Sequence, residues 1–251
     1  MIKVLKKTFD IIEFIAGRHG QPVLPAEIVK AIKLNQATTI RILKDLVALG
    51  YLEQISRQKG YVLGPMSFWI SGGKSYRDVI TRKADPLILS CAKASGQSVL
   101  LAVTVGTRRF ILCHHNANPR FNVDVNDPWY EDMYKTATGR LLLAYMQEKE
   151  LDDFVRNCGL PAAAEWPGVT TDGELKEQLN IIKSRGLAAF RKEILFIIAY
   201  PVFRGKEFVA ALGMSIPCSE IDIKGAEFYI ACLQKTAEEI SSEISTITPT
   251  G

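Results

Sequence analysis

The strongest constraint on this chain lies in its first 65 residues, where three short apolar-periodic stretches are cut apart by Gly and Pro and followed by two strand-like runs. Val4, Ile11 and Ile15, with Leu5, Phe9 and Ile12, recur at spacings of three, four and seven. That is the period of one helix face, and it stops near Gly17 and Gly20. Residues 25–32 give a second, shorter helix with Pro25 in the favoured first turn. Residues 33–36 leave room only for a tight connection. Residues 37–49 give a third helix, with Ile40, Leu43 and Val47 on one side and Gly50 as its stop. Residues 51–55 and 60–63 read as strands around the polar turn 56–59. Three short helices and a hairpin are the order of a winged helix-turn-helix.

That layout works when the third helix has two faces, one packed on its neighbours and one offering polar and cationic groups to a DNA major groove. The outer face predicted here carries Asn35, Gln36, Thr38, Thr39, Arg41 and Lys44. Asn and Gln match adenine edges, Arg matches guanine, and Thr reaches a phosphate or a thymine methyl. Arg57 and Lys59 stand at the wing tip, where cations meet phosphate or the minor groove. Charge agrees with this division. Residues 1–83 hold 14 lysines and arginines against 6 acids, whereas residues 84–251 hold 17 against 21. A basic small module on a mildly acidic larger one points to a polyanion for the first alone.

Beyond the wing, 68–70 form an apolar patch and 76–83 a helical linker, together the expected dimer contact. A helix at 86–94 opens the larger domain. Residues 98–105 and 108–114 form a hairpin about Gly106-Thr107. Residues 116–136 read as a loop, and 137–146, 151–157 and 174–185 as helices. The strands 194–203 and 208–216 are joined by a charged turn, and a long helix fills 224–247. Hairpins dominate the strands, so the fold class is α+β, an antiparallel sheet with helices on it. The expected domains are 1–65, a linker at 66–84, and 85–251.

Several function classes are disfavoured. No apolar run approaches the roughly 18 residues that cross a bilayer, and the N-terminus lacks a secretory pattern, so a cytoplasmic protein without a membrane partner is expected. The five cysteines, at 91, 113, 158, 218 and 232, form no CxxC pair. His114-His115 lacks a third ligand at a metal spacing, and neighbours on a strand point to opposite faces, so the pair reads as structural. Neither a metal nor a cofactor is expected, and no catalytic constellation appears.

The segment Thr38-Thr39-Ile40-Arg41-Ile42-Leu43-Lys44-Asp45-Leu46 with Gly50-Tyr51-Leu52 resembles the isocitrate-lyase-regulator (IclR) family of bacterial transcription factors. So does Tyr134-Lys135-Thr136-Ala137-Thr138-Gly139-Arg140, similar to the family's Thr-Ala-x-Gly-Lys segment. Residues 181–186, 199–203 and 210–217 follow in the family's order. The resemblance implies an N-terminal winged helix-turn-helix, a dimerising linker helix and a GAF-like effector domain. It implies a homodimer or tetramer on double-stranded operator DNA, acting as repressor or activator.

The resemblance also implies an effector site at Trp129, Thr136, Ala137, Thr138, Gly139, Phe190, Ile197, Gly213 and Ser215. An anion would be held by N–H groups where the helix at 137 begins. Trp129, Phe190 and Ile197 form its expected apolar side, and Thr136, Thr138 and Ser215 its polar side. The acidic run after Gly186 is reduced to Lys192-Glu193, the following stretch is shorter, and Gly213 lacks the usual hydroxyl. These departures favour an aromatic or branched carboxylate over a two- or three-carbon acid. Two other readings stay open: a regulator without an effector, and a metabolite-processing enzyme with a basic accessory module.

Overall fold

The computed structural model describes residues 2–18, 20–56, 58–71, 76–121 and 128–245. It divides into two compact units, Met1–Ser75 and Tyr76–Gly251.

The first unit contains α1 (Lys3–Ala16), α2 (Pro25–Ile32), α3 (Gln36–Ala48), β1 (Leu52–Ser56), β2 (Gly60–Leu63) and α4 (Pro65–Ser71). Its core is Ile11, Ile15, Val23, Ile28, Ile42, Leu43, Leu46 and Leu52. Only the second half of the apolar face predicted for α1 is used. Ile11 and Ile15 are buried, while Val4, Leu5 and Phe9 stay exposed because the helix is longer than the small core it covers. β1 and β2 pair antiparallel, Leu52 opposite Leu63. The wing folds back through a bridge from Val23 to Tyr61. Gly60 makes this possible: its φ is +98°, and a Cβ there would stand 2.2 Å from the Val23 carbonyl oxygen.

The second unit begins with α5 (Tyr76–Ser95). The expected break between a linker and a new domain at residue 85 is absent. One helix runs through Pro86, and Ile80, Ala84 and Ile88, spaced by four, are all buried in the core of the larger unit. From Ile80 onward the linker segment is therefore part of that unit's packing.

Then follow β3 (Ser98–Val105), β4 (Arg108–Asn116), β5 (Trp129–Tyr130), α6 (Ala137–Ala144), α7 (Glu148–Cys158) and α8 (Asp172–Arg185). β6 (Ala188–Lys192), β7 (Leu195–Arg204), β8 (Glu207–Pro217), α9 (Cys218–Lys224) and α10 (Ala226–Ser245) complete it. The strands form one antiparallel sheet in the order β5-β4-β3-β8-β7-β6. One face carries Val99, Leu101, Ile198, Leu212, Met214 and Ile216 and packs on α5 and α10. The other carries Ala102, Ala199 and Ala211 and packs on α6, with α8 beyond it. β6 was not foreseen. The helix predicted over 224–247 starts later, because Gly225 at φ +79° separates α9 from α10. No helix among the described residues is long and apolar enough to cross a membrane.

Candidate functional site

α3 is capped by Asn35, whose Oδ1 accepts the Thr38 N–H at 2.8 Å. Thr39, Ile42, Leu43 and Leu46 form the buried stripe, with Ile40 and Val47 at its margin. At about 100° per residue, the centre of the opposite face falls on Ala37, Arg41, Lys44 and Ala48. Arg41 and Lys44 are exposed, and neither joins an ion pair among the described residues. Gln36 is exposed in the first turn and Thr38 half-buried. Thr39 does not belong on the outer face. It has no exposed surface, and its hydroxyl donates to the Asn35 carbonyl at 3.0 Å, which satisfies the polar atom and lets the methyl pack inward. Lys59 is exposed on the wing, its N–H held by Ser56 Oγ at 3.0 Å. Arg57 lies outside the described residues.

In the larger unit, strand register brings several predicted residues into one row. Phe190 pairs with Ile197, Ile197 with Ser215, Ser215 with Ser98, and Ser98 with Asn116. Directly opposed residues share a face, so these five side chains lie side by side on the face that holds α6. The adjacent row contains Ala188, Ala199, Gly213, Leu100 and His114. Phe190, Ile197, Ser215, Asn116, Leu100 and His114 are half-buried, whereas Ala188 and Ala199 are sealed.

α6 begins beside this row. Thr136 caps it, its Oγ1 accepting the Gly139 N–H at 3.1 Å. The N–H groups of Ala137 and Thr138 are first-turn donors without an intrahelical acceptor. Gly139 is buried against the preceding loop, and a Cβ there would lie 2.3 Å from the Met133 carbonyl oxygen. Thr138 seats its methyl on Gly213, where a Cβ would come within 2.4 Å of it. The missing side chain at Gly213 is thus filled by Thr138, and the expected cavity between α6 and β7–β8 is closed at this point. In the row beyond the helix N-terminus, Phe190, Ile197, Ser215 and Asn116 keep part of their surface exposed.

Trp129 is not part of that grouping. It sits on β5 opposite Phe110, its ring edge-on to Phe110 with centroids 4.6 Å apart, and Arg108 lies over its face at 4.4 Å. β5 and β6 are opposite edges of the sheet. Five strand steps of roughly 4.8 Å put about 24 Å between Trp129 and Phe190, so one small pocket cannot hold both.

His114, which the sequence reads as structural, joins this grouping. Ser98 Oγ lies 2.8 Å from His114 Nε2. A plain two-residue turn would pair Val99 with His114, placing the imidazole on the α5 face. The register shift between Leu101 and Ala102 pairs Leu100 with His114 instead. A slip of one residue exchanges the faces, so the bulge turns His114 toward α6 and His115 toward α5. His115 Nε2 accordingly meets Asp85 Oδ1 of α5 at 2.9 Å.

Arg140, in the first turn of α6, is buried. Its Nε donates to the Tyr134 carbonyl at 2.9 Å and its Nη2 to the Glu165 carbonyl at 2.7 Å. The guanidinium is stacked between Trp166, at 4.0 Å, and Phe190, at 3.8 Å. Loss of hydration lowers its pKa to about 10.

Comparison with known proteins accounts for both units. Residues 4–56 match the family model described as "IclR helix-turn-helix domain", and residues 76–242 match "Bacterial transcriptional regulator IclR C-terminal". The HTH-type transcriptional regulator BhcR of Paracoccus denitrificans is 24% identical over 248 residues, spanning 97% of this chain and 86% of the relative. The transcriptional repressor IclR of Escherichia coli is 22% identical over 250 residues, spanning 96% and 89%. Among solved structures, an IclR homologue from Microbacterium hydrocarbonoxydans complexed with 4-hydroxybenzoate superposes with a TM-score of 0.77 at 18% identity, covering 97% of this chain and all of the other. With both halves matched in order, the chain belongs to the IclR family of DNA-binding bacterial transcriptional regulators.

Proposed function

We propose that this regulator reads a specific operator with Gln36, Arg41 and Lys44 of α3 and with Lys59 of the wing, and that a small carboxylate controls it. The observation that carries the sensor reading is the half-buried row Phe190, Ile197, Ser215, Asn116 beside the N-terminus of α6. The Ala137 and Thr138 N–H groups and the helix dipole suit the carboxylate. Ser215 and the Ser98–His114 pair suit a hydroxyl, and Phe190, Ile197 and Leu100 suit a ring or branched chain. The Microbacterium neighbour binds 4-hydroxybenzoate, a ligand with these three features. The chain works as a homodimer or tetramer, since a palindromic operator needs two recognition helices one turn apart. A regulator without an effector is the second reading, favoured by the Thr138 methyl seated on Gly213.

The test is calorimetric titration of the full chain with 4-hydroxybenzoate, with and without operator DNA selected from random sequence. Binding that is lost in Ser215→Leu and that changes operator affinity supports the sensor. No heat and unchanged operator affinity, over a panel of aromatic and branched carboxylates, hands the role to the second reading.

A further inference from the structure

On the far side of Phe190 from the row, α6, α8 and β6 border a separate, partly open cavity of about 110 Å³. Its lining includes Arg140, Trp166, Gln178, Ile182, Arg185 and Phe190, and no acidic side chain contributes to it. Phe190 is the one residue it shares with the row.

Arg140 gives this cavity its chemistry. A guanidinium has five N–H donors. Two of its nitrogens are engaged by backbone carbonyls, as described above, and Nη1 donates to no described residue yet is not sealed from solvent-sized space. Both carbonyl partners are neutral dipoles. No carboxylate lies within 4 Å of the guanidinium among the described residues. The acid nearest in sequence to its Glu165 contact is that residue's own side chain, and it is turned to the Lys135 ammonium at 3.0 Å and the Ala162 N–H at 3.2 Å. A buried cation of this kind needs a counter-charge, and the two aromatic faces supply only part of it. The carbonyls at the end of α8 would repel an anion, but those of Ile182 and Lys183 are occupied by the Gly186 and Leu187 N–H groups.

We propose that this cavity binds a short-chain aliphatic carboxylate, which completes the ion pair that Arg140 lacks. The guanidinium fork matches a carboxylate in two hydrogen bonds. The wall formed by Ile181, Ile182 and Leu187 suits a short alkyl chain and not a phosphate's two further oxygens. At about 110 Å³ the space suits a short chain better than an aromatic ring, since an engineered cavity that holds benzene is about 150 Å³. This site is therefore distinct in place and in ligand from the row beyond α6.

Sodium propionate is the probe, compared with sodium chloride at equal ionic strength. The full chain is followed by thermal unfolding and by the indole N–H resonance of Trp166, assigned with Trp166→Phe. Propionate should raise the unfolding temperature above the chloride control and shift the Trp166 resonance saturably. Gln178→Glu puts a carboxylate into the cavity from α8, so it should raise the unfolding temperature unaided and remove the response to propionate. A Trp166 resonance that moves alike in propionate and chloride overturns the proposal in the wild-type chain, whatever the variant does. So does a Gln178→Glu chain that still responds as wild type.

Discussion

Gly213→Ala is the most direct probe of how tightly α6 sits on the sheet. The added Cβ would lie 2.4 Å from Thr138 Cγ2, a full ångström short of ordinary contact. Thr138 is 5% exposed and is flanked by the fully buried Ala137 and Leu141, so it has nowhere to recede. Its β-branched side chain is stiff about χ1. Overpacking of this kind costs about 1–3 kcal/mol. Replacing Gly by Ala in extended backbone returns about 0.4–1 kcal/mol through the unfolded chain. The expected net loss is about 1–2 kcal/mol. Thr138→Ser deletes Cγ2 alone and should cost about 1 kcal/mol in lost burial. In that background the Cβ of Gly213→Ala meets only ordinary contacts, the Ile198 carbonyl oxygen at 3.6 Å and residue 138 Cβ at 3.7 Å, so it should be neutral or mildly stabilising. The double variant should then be no less stable than Thr138→Ser, a favourable coupling of about 2 kcal/mol. Urea unfolding of all four proteins measures this. Trp129 and Trp166, both in the larger unit, report the relevant transition by fluorescence. If the two single losses simply add, within about 0.5 kcal/mol, the wedge of Thr138 into Gly213 is wrong.

Arg41→Ala should weaken operator binding by about 1–3 kcal/mol and relax preference at one base pair, whereas Lys59→Ala should weaken all sequences alike and lower the salt slope by about 1; competition binding over a salt series separates the two. Asn35→Ala should cost about 1 kcal/mol of stability through the lost α3 cap, and Asn35→Asp should retain most of it in the same melting assay. Asp132→Ala strands Arg109, which is 4% exposed and doubly bonded to that carboxylate at 2.8 and 2.6 Å, so urea unfolding should show a loss of about 3–5 kcal/mol. Cys232 Sγ lies 3.6 Å from Cys91 Sγ. Accepting that S–H bond lowers the Cys232 thiol from 9.0 to about 7, while donating it, together with burial, pushes Cys91 up. A lowered acid stabilises the fold above its unfolded pKa and loses that contribution as pH falls through about 7. Iodoacetamide labelling of Cys232 should therefore rise with a midpoint near 7, and Cys91→Ala should move that midpoint up toward the ordinary thiol range; an unmoved midpoint removes the bond as its cause.

The smaller unit was legible because its signals are local. Pro25 and Gly50 mark α2 and the end of α3 within a residue, and each of the two helices keeps its own apolar period. Thr39 was misread because residue type was taken for exposure, when a bond to a carbonyl four residues back lets threonine act as a core residue. In the larger unit the errors lie where sheet order decides. β6, with Arg191 and Lys192 in five residues, has no strand period of its own and exists by pairing with β7. Nothing near Trp129 announces that its loop joins the edge opposite Phe190. Arg140 turns inward for acceptors and rings supplied by Tyr134, Trp166 and Phe190, contacts that no helical period encodes. The two histidines mark the limit most clearly. Alternation along a strand requires them to point to opposite faces, and they do. Which of them faces α6 depends on a single bulged residue in the β3–β4 pairing. That bulge joins His114 to Ser98 and completes the polar half of the row, while the same shift commits His115 to Asp85. The composition of the candidate site is thus set by register, a property of two strands together that neither strand's sequence contains.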